Sequence, residues 1–276
     1  MEVIDAHQHF WVYDPVRDAW ITEEMAAIRR DFLPDDLVQE LEKNEVAGCV
    51  AVQADQAEAE TAFLLDLAAR HDFIRGVVGW TDLRSETLPA RLEYWSEYDQ
   101  LKGFRHVVQA EADPNFLLRE SFCRGIHRLA DYDFTYDILV YPHQLPAVVE
   151  FVRRFSKQPF VIDHLAKPYI RDGFRDGWEL LLREIGRCEH VCCKLSGLVT
   201  EAHWQRWRYE DLEPYLEVAL EAFGPQRVLF GSDWPVCKVA ASYGEVLGIG
   251  RRFAERLSES EQSALFAGNA ERFYQL

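Results

Sequence analysis

The sequence predicts an α/β protein, a (β/α)8 TIM barrel forming one domain over residues 1–276, and three observations predict it. Eight short runs rich in β-branched residues alternate with longer segments of helical spacing, the pattern of βα units around a parallel sheet. The 276 residues of the chain suit one barrel of roughly 250 residues. The polar, reactive side chains fall at the carboxyl ends of the runs, which is where barrels of this type carry their chemistry.

The elements follow in order. The first run, 3–9, ends in His7-Gln8-His9. A helix over 34–44 starts at Pro34, tolerated in a first turn, with Asp35 and Asp36 favouring the positive end of the helix dipole. The second and third runs, 46–54 and 74–83, contain Val50-Ala51-Val52 and Val77-Val78, nearly continuous apolar stretches of strands covered on both faces. Helices over 57–71 and 86–98 follow them. The fourth run is 101–108, with a helix over 120–132, and the fifth is 134–141. After it, Val148, Val149, Val152 and Phe155 form one stripe of a helix over 144–155, while Glu150, Arg153 and Arg154 face elsewhere. The sixth, seventh and eighth runs are 160–166, 191–197 and 227–233, separated by helices over 178–188 and 209–223. Helices over 242–257 and 260–274 close the chain.

Composition narrows the function classes. A hydrophobic content of 48% supplies a large core, and the formal charge of −17 repels nucleic-acid phosphates and anionic membranes. Neither nucleic acid nor membrane is therefore an expected partner, and no feature fixes an oligomeric state. No stretch approaches the ~20 apolar residues of a membrane helix, and the first residues lack the order of a secretory signal, so a cytoplasmic location is expected. The six cysteines lie mostly inside apolar runs and read as reduced thiols. Cys188, Cys192 and Cys193 lack the second ligand pair of a zinc knuckle.

His7 and His9, two residues apart on a strand, point to one face. The other run ends contribute Gln53, Trp80 with Asp82, Arg105 with His106, Asp137 with Tyr141, Asp163 with His164, Lys194 with Ser196, and Asp233. Asp163, next to His164, is expected to face the opposite side and be structural. His143 is read as surface, Trp11, Tyr136 and Trp207 as core or cover, and His71, His127, His190 and His203 carry no functional claim.

Several segments together resemble the amidohydrolase superfamily, and more closely its branch of sugar lactonases. They are Ile4-Asp5-Ala6-His7-Gln8-His9-Phe10-Trp11, Val52-Gln53-Ala54, Gly76-Val77-Val78-Gly79-Trp80, Gly103-Phe104-Arg105-His106-Val107-Val108-Gln109, Asp163-His164-Leu165-Ala166-Lys167-Pro168, Cys193-Lys194-Leu195-Ser196-Gly197-Leu198 and Gly231-Ser232-Asp233-Trp234-Pro235. The resemblance covers essentially the whole chain. It implies that His7, His9, His164 and Asp233 occupy the superfamily site. Two departures stand out: the fifth run offers no histidine, and the fourth offers Arg105 in place of a bridging Lys or Glu. A two-metal centre is not expected. A single divalent metal such as zinc, held by His7, His9, His164 and Asp233, fits the ligand types, whereas the lactonase branch is implied to need no metal cofactor.

The expected activity is hydrolysis of a sugar-acid (aldono) lactone, a small-molecule partner. Asp233 serves as general base and then acid, and Arg105 with His7, His9 and His164 polarises the carbonyl. Gln53, His106, Asp137 and Lys194 are expected to bind the hydroxyls, beside Trp80, Tyr141 and Trp234 for the C–H faces. Two alternatives stand: a zinc-dependent hydrolase or decarboxylase of the same superfamily, and a non-catalytic sugar-acid-binding barrel.

Overall fold

The computed structural model describes residues 1–276 and contains one parallel sheet of eight strands in sequence order. The strands are β1 (Ile4–Gln8), β2 (Gly48–Val52), β3 (Ile74–Gly79), β4 (Leu101–His106), β5 (Thr135–Ile138), β6 (Phe160–Ile162), β7 (Val191–Leu195) and β8 (Val228–Phe230). Helices α1 (Pro34–Asn44), α2 (Glu58–Arg70), α3 (Leu88–Trp95), α4 (Glu120–Leu129), α5 (Leu145–Arg154), α6 (Asp176–Gly186), α7 (Leu198–Glu201), α8 (Tyr209–Phe223), α9 (Tyr243–Ala254), α10 (Glu259–Ser263) and α11 (Asn269–Tyr274) surround the sheet. This is the (β/α)8 TIM barrel expected from the alternation of runs. No helix is long and apolar enough to cross a membrane.

The circle closes just beyond β8. The backbone N–H of His9 donates to Trp234 O at 2.7 Å and that of Asp233 to His7 O at 2.8 Å. Asp5, fully buried on β1, reinforces the seam by accepting from the backbone N–H of Ser232 (2.8 Å) and of His7 (3.1 Å) and from the Ser232 and Tyr243 hydroxyls. Burial pushes the Asp5 carboxyl up to about 6. The four donors meet the requirement that a buried polar group be paired.

Two apolar layers hold the barrel. The larger fills the space between sheet and helices, and a smaller one inside the barrel combines Ile4, Ala6, Val50, Val52, Val78, Val161 and Leu229 with Ala267, Ala270 and Tyr274. The carboxyl-terminal segment thus reaches the barrel interior, and Lys102 Nζ donates to Gln275 O at 2.9 Å beside it.

The differences from the expected elements have local causes. Strands β6 and β8 are only three residues long, because the chain turns off the sheet where its polar site residues begin. The expected 260–274 helix is broken by a π-helical turn, Ala264–Gly268. A short 3-10 segment, Glu23–Ile28, and helix α7 add to the expected set.

Candidate active site

Two backbone devices aim the polar residues. Beyond Ile162, His164, Leu165, Ala166 and Lys167 all take positive φ, between 51° and 57°, a left-handed turn that costs about 1–2 kcal/mol per residue. It is held by the Trp178 indole N–H donating to Leu165 O at 2.7 Å, by Lys167 N–H to His164 O at 2.7 Å, and by full burial of Leu165 and Ala166. Asp233 also has positive φ, 58°, a conformation that aspartate tolerates better than most residues. Gly231 leaves room for the neighbouring strand: a Cβ there would lie 2.8 Å from His7 Cβ.

These devices bring the first-strand histidines, His164 and Asp233 to one place. Asp233 Oδ1 lies 3.5 Å from His9 Nε2 and 3.9 Å from both His7 Nε2 and His164 Nε2, and the two Nε2 atoms of His7 and His9 are 3.2 Å apart. The outer nitrogens are anchored: His9 Nδ1 on Val52 O at 2.7 Å and His164 Nδ1 on Ser196 Oγ at 2.8 Å. Burial lowers the pKa of all three imidazoles, that of His164 to about 4, so they are neutral at pH 7. Burial opposes ionisation of Asp233, but the facing imidazoles, His164 foremost, hold its carboxyl below the usual range. The ligand atoms of His7, His164 and Asp233, two neutral imidazoles and one carboxylate, converge as a donor set that fits a divalent metal such as zinc, with His9 Nε2 beside it at 3.2 Å from His7 Nε2.

Beneath this cluster is an ionic layer in which Lys194, Asp137 and Asp163 have no solvent contact and Arg105 reaches up to the cavity. Lys194 Nζ lies 2.5 Å from Asp137 Oδ2, 3.0 Å from Asp163 Oδ1 and 3.0 Å from His7 Nδ1. Arg105 Nη1 donates to Asp163 Oδ2 at 3.0 Å, Arg105 Nη2 donates to Gln53 O, and the Tyr274 hydroxyl donates to Asp137 Oδ2 at 2.8 Å. Asp163 therefore faces inward, contrary to the alternation argument. Strand β6 ends at Ile162, and the left-handed turn replaces the two-residue period at that point.

Above the cluster opens a cavity of about 300 Å³. Of the expected residues, His9, Arg105, His164 and Asp233 line it, whereas His7 lies wholly beneath. The seven residues expected to bind substrate lie outside its lining. Gln53, Asp137 and Lys194 are buried in the ionic layer. His106 alternates with Arg105 on β4 and so faces the helices, where it stacks on Phe116 and meets Glu111 at 2.7 Å. The Trp80 indole N–H approaches His106 Nδ1 at 3.3 Å rather than the cavity. Trp234 is 1% exposed, edge-on to Phe10 and Phe32. The Tyr141 ring lies 5.7 Å from Lys167 Nζ.

Sequence reasoning missed other lining residues: Arg17, Asp18 and Trp20 from the segment between β1 and α1, Asp55 and Gln56 after β2, Gln109 after β4, and Lys167. Lys167 donates to Glu201 at 3.1 Å and, having three N–H groups, keeps donors to spare. Its place after the His164 motif was the one readable signal. Among the lining side chains, the charges of Arg17, Arg105 and Lys167 are matched by Asp18, Asp55 and Asp233, a balance suited to a polar, uncharged ligand.

Comparison with known proteins gives a consistent set. An amidohydrolase family model matches residues 4–276. An L-fucono-1,5-lactonase of Burkholderia multivorans is 46% identical over 284 residues, covering 99% of this chain and 96% of that protein. An L-fucono-1,5-lactonase of Burkholderia ambifaria is 36% identical over 281 residues, covering 99% and 95%. Among solved structures, an amidohydrolase from Burkholderia multivorans with bound zinc superposes with a TM-score of 0.97 at 45% identity, covering 100% of both chains.

Proposed function

The chain belongs to the amidohydrolase family, and from that premise we propose that it hydrolyses a sugar-acid lactone of the L-fucono-1,5-lactone kind to the free acid. The observation that carries the reading is Asp233, an ionised carboxylate facing three neutral imidazoles at the floor of a charge-balanced cavity. The whole-length likeness to two L-fucono-1,5-lactonases supports the substrate class.

The reaction follows from the groups present. Asp233 accepts a proton from water as its oxygen attacks the lactone carbonyl carbon. The carbonyl oxygen becomes negative and is met by N–H donors of Arg105 and Lys167. The ring C–O bond then breaks, Asp233 returns the proton to the departing alkoxide, and the product is a hydroxy acid that ionises at neutral pH. General acid–base catalysis of this kind contributes ~10²–10⁴-fold, and one well-placed donor to the oxyanion contributes roughly 2.7–4 kcal/mol. His164 suits either role, because the Ser196 hydroxyl on its Nδ1 can donate or accept. A metal held by His7, His164 and Asp233, with His9 beside them, would supply Lewis acidity toward the carbonyl and a more acidic water.

A pH-indicator assay over aldono-1,5- and 1,4-lactones, with and without chelator, tests the proposal. Acid release from L-fucono-1,5-lactone is expected, and failure to open any lactone of the panel would overturn it. Activity that survives measured metal removal assigns carbonyl activation to Arg105 and Lys167, whereas a loss that zinc restores assigns it to the metal.

A further inference from the structure

The bend that follows β2 has most of its hydrogen-bonding groups committed before any ligand arrives. The backbone N–H of Gln53 donates to Val78 O at 2.8 Å, and those of Ala54 and Asp55 donate to the two carboxyl oxygens of Glu60 at 2.6 and 2.7 Å. Gln56 Oε1 accepts from the backbone N–H of Val107 at 2.8 Å. A backbone N–H can only donate, so this bond settles which end of the Gln56 carboxamide is oxygen and which is nitrogen. Residues 54–56 are bent rather than extended. Strand alternation therefore does not apply to them, and Asp55 and Gln56, although adjacent in sequence, both border the cavity. Val107 is the one hydrogen-bond partner of the two side chains. Left over are the Asp55 carboxylate, attracted by Arg17 but not ion-paired with it, and the two hydrogens of the Gln56 amide. Both residues are half-buried and so remain open to the cavity.

We propose that Asp55 and Gln56 are a specificity-determining pair that reads two neighbouring hydroxyls of the lactone. The carboxylate, acceptor-only, takes the hydrogens of both hydroxyls, and the amide, whose oxygen is already spent on Val107, donates to the oxygen of one of them. A ring with hydrogen in place of these hydroxyls leaves both groups unpaired, the kind of loss by which a site built for hydroxyls rejects an analogue without them. A ring bearing a carboxylate there meets the charge of Asp55 and is repelled. Because Glu60 and Val107 hold the bend in place, little ordering remains to be done on binding. The pair's role rests on the cavity being a lactonase site, and adds which feature of the lactone that site recognises.

A selectivity ratio tests it: kcat/KM for L-fucono-1,5-lactone divided by kcat/KM for δ-valerolactone, a lactone ring of the same size without hydroxyls. It is measured for the wild type, Asp55→Asn and Gln56→Glu, with thermal melting of each to establish the fold. Asp55→Asn keeps the shape of the side chain and the backbone bond to Glu60. Gln56→Glu keeps an oxygen for the Val107 N–H and exchanges the free donor for an acceptor. In each variant the ratio is expected to fall about 10- to 100-fold, through a raised KM for L-fucono-1,5-lactone. An unchanged ratio in the folded variants, whether neither rate falls or both fall together, would overturn the proposal. A wild type that opens no lactone would instead overturn the lactonase reading, and the role of the pair with it.

Discussion

A Cβ placed on Gly197 would come within 2.7 Å of both Cγ and Nδ1 of His164. Gly197 also has φ of +66°, so it combines a left-handed backbone with contact against the imidazole ring. Gly197→Ala is therefore expected to lose about 1–2 kcal/mol from backbone strain alone and to push His164 away from Asp233. Urea denaturation and kcat/KM check it together, with both falling. A variant with normal activity would show that the imidazole position is not critical.

Asp233→Asn keeps the shape of the side chain and removes the proton acceptor. The fold is expected to persist, since the seam bonds here run through the backbone N–H of Asp233 and the C=O of Trp234 rather than through the Asp233 side chain. Turnover is expected to fall by ~10²–10⁴-fold. Circular dichroism and kcat measured on one preparation separate a catalytic loss from an unfolded chain.

Trp20 is 44% exposed, lies edge-on to Trp11 at 6.0 Å and borders the cavity. A flat apolar face at the mouth suits the C–H surface of a sugar ring. Trp20→Ala is expected to forfeit about 1 kcal/mol of binding, roughly fivefold in KM, with kcat and stability little changed. A fall in kcat with KM constant would instead place Trp20 in the chemical step.

The barrel and the cluster of His9, His164 and Asp233 above His7 were legible because strand alternation and strand ends are local properties of the sequence. The cavity walls were not, and the reasons are physical. Arg105 and His106 cannot both face inward on β4, because side chains alternate there, and the rim reading of His106 ignored that period. Asp163 failed the same rule in reverse, since the left-handed turn from His164 to Lys167 ends the alternation. Lys194 and Asp137 read as rim residues because each is a polar residue on a run whose end was assigned to the rim, but both sit midway along their runs and are fully buried beneath the cluster. Trp20 and Arg17 belong to the 12–31 connection, whose path over the barrel mouth no periodicity encodes.

Glu60, in the first turn of α2, accepts from the backbone N–H of Ala54 at 2.6 Å and of Asp55 at 2.7 Å, both bordering the cavity. Burial, aided by the charge of Asp55, pushes its carboxyl up to about 7 from 4.5 against those hydrogen bonds and Arg17. Because the folded pKa is raised, the folded chain holds a proton between pH 4.5 and about 7 that the unfolded chain has released. The stability from this group is thus fully present below pH 4.5, and it is lost as pH rises through the window. The loss amounts to at most about 3 kcal/mol, at 1.36 kcal/mol per pKa unit. Comparing wild type with Glu60→Gln isolates the effect from the other carboxyls: between pH 5 and 8, unfolding free energy is expected to decline more steeply in the wild type. Parallel curves would mean that Glu60 titrates near its ordinary value and that the turn is held equally well in both charge states.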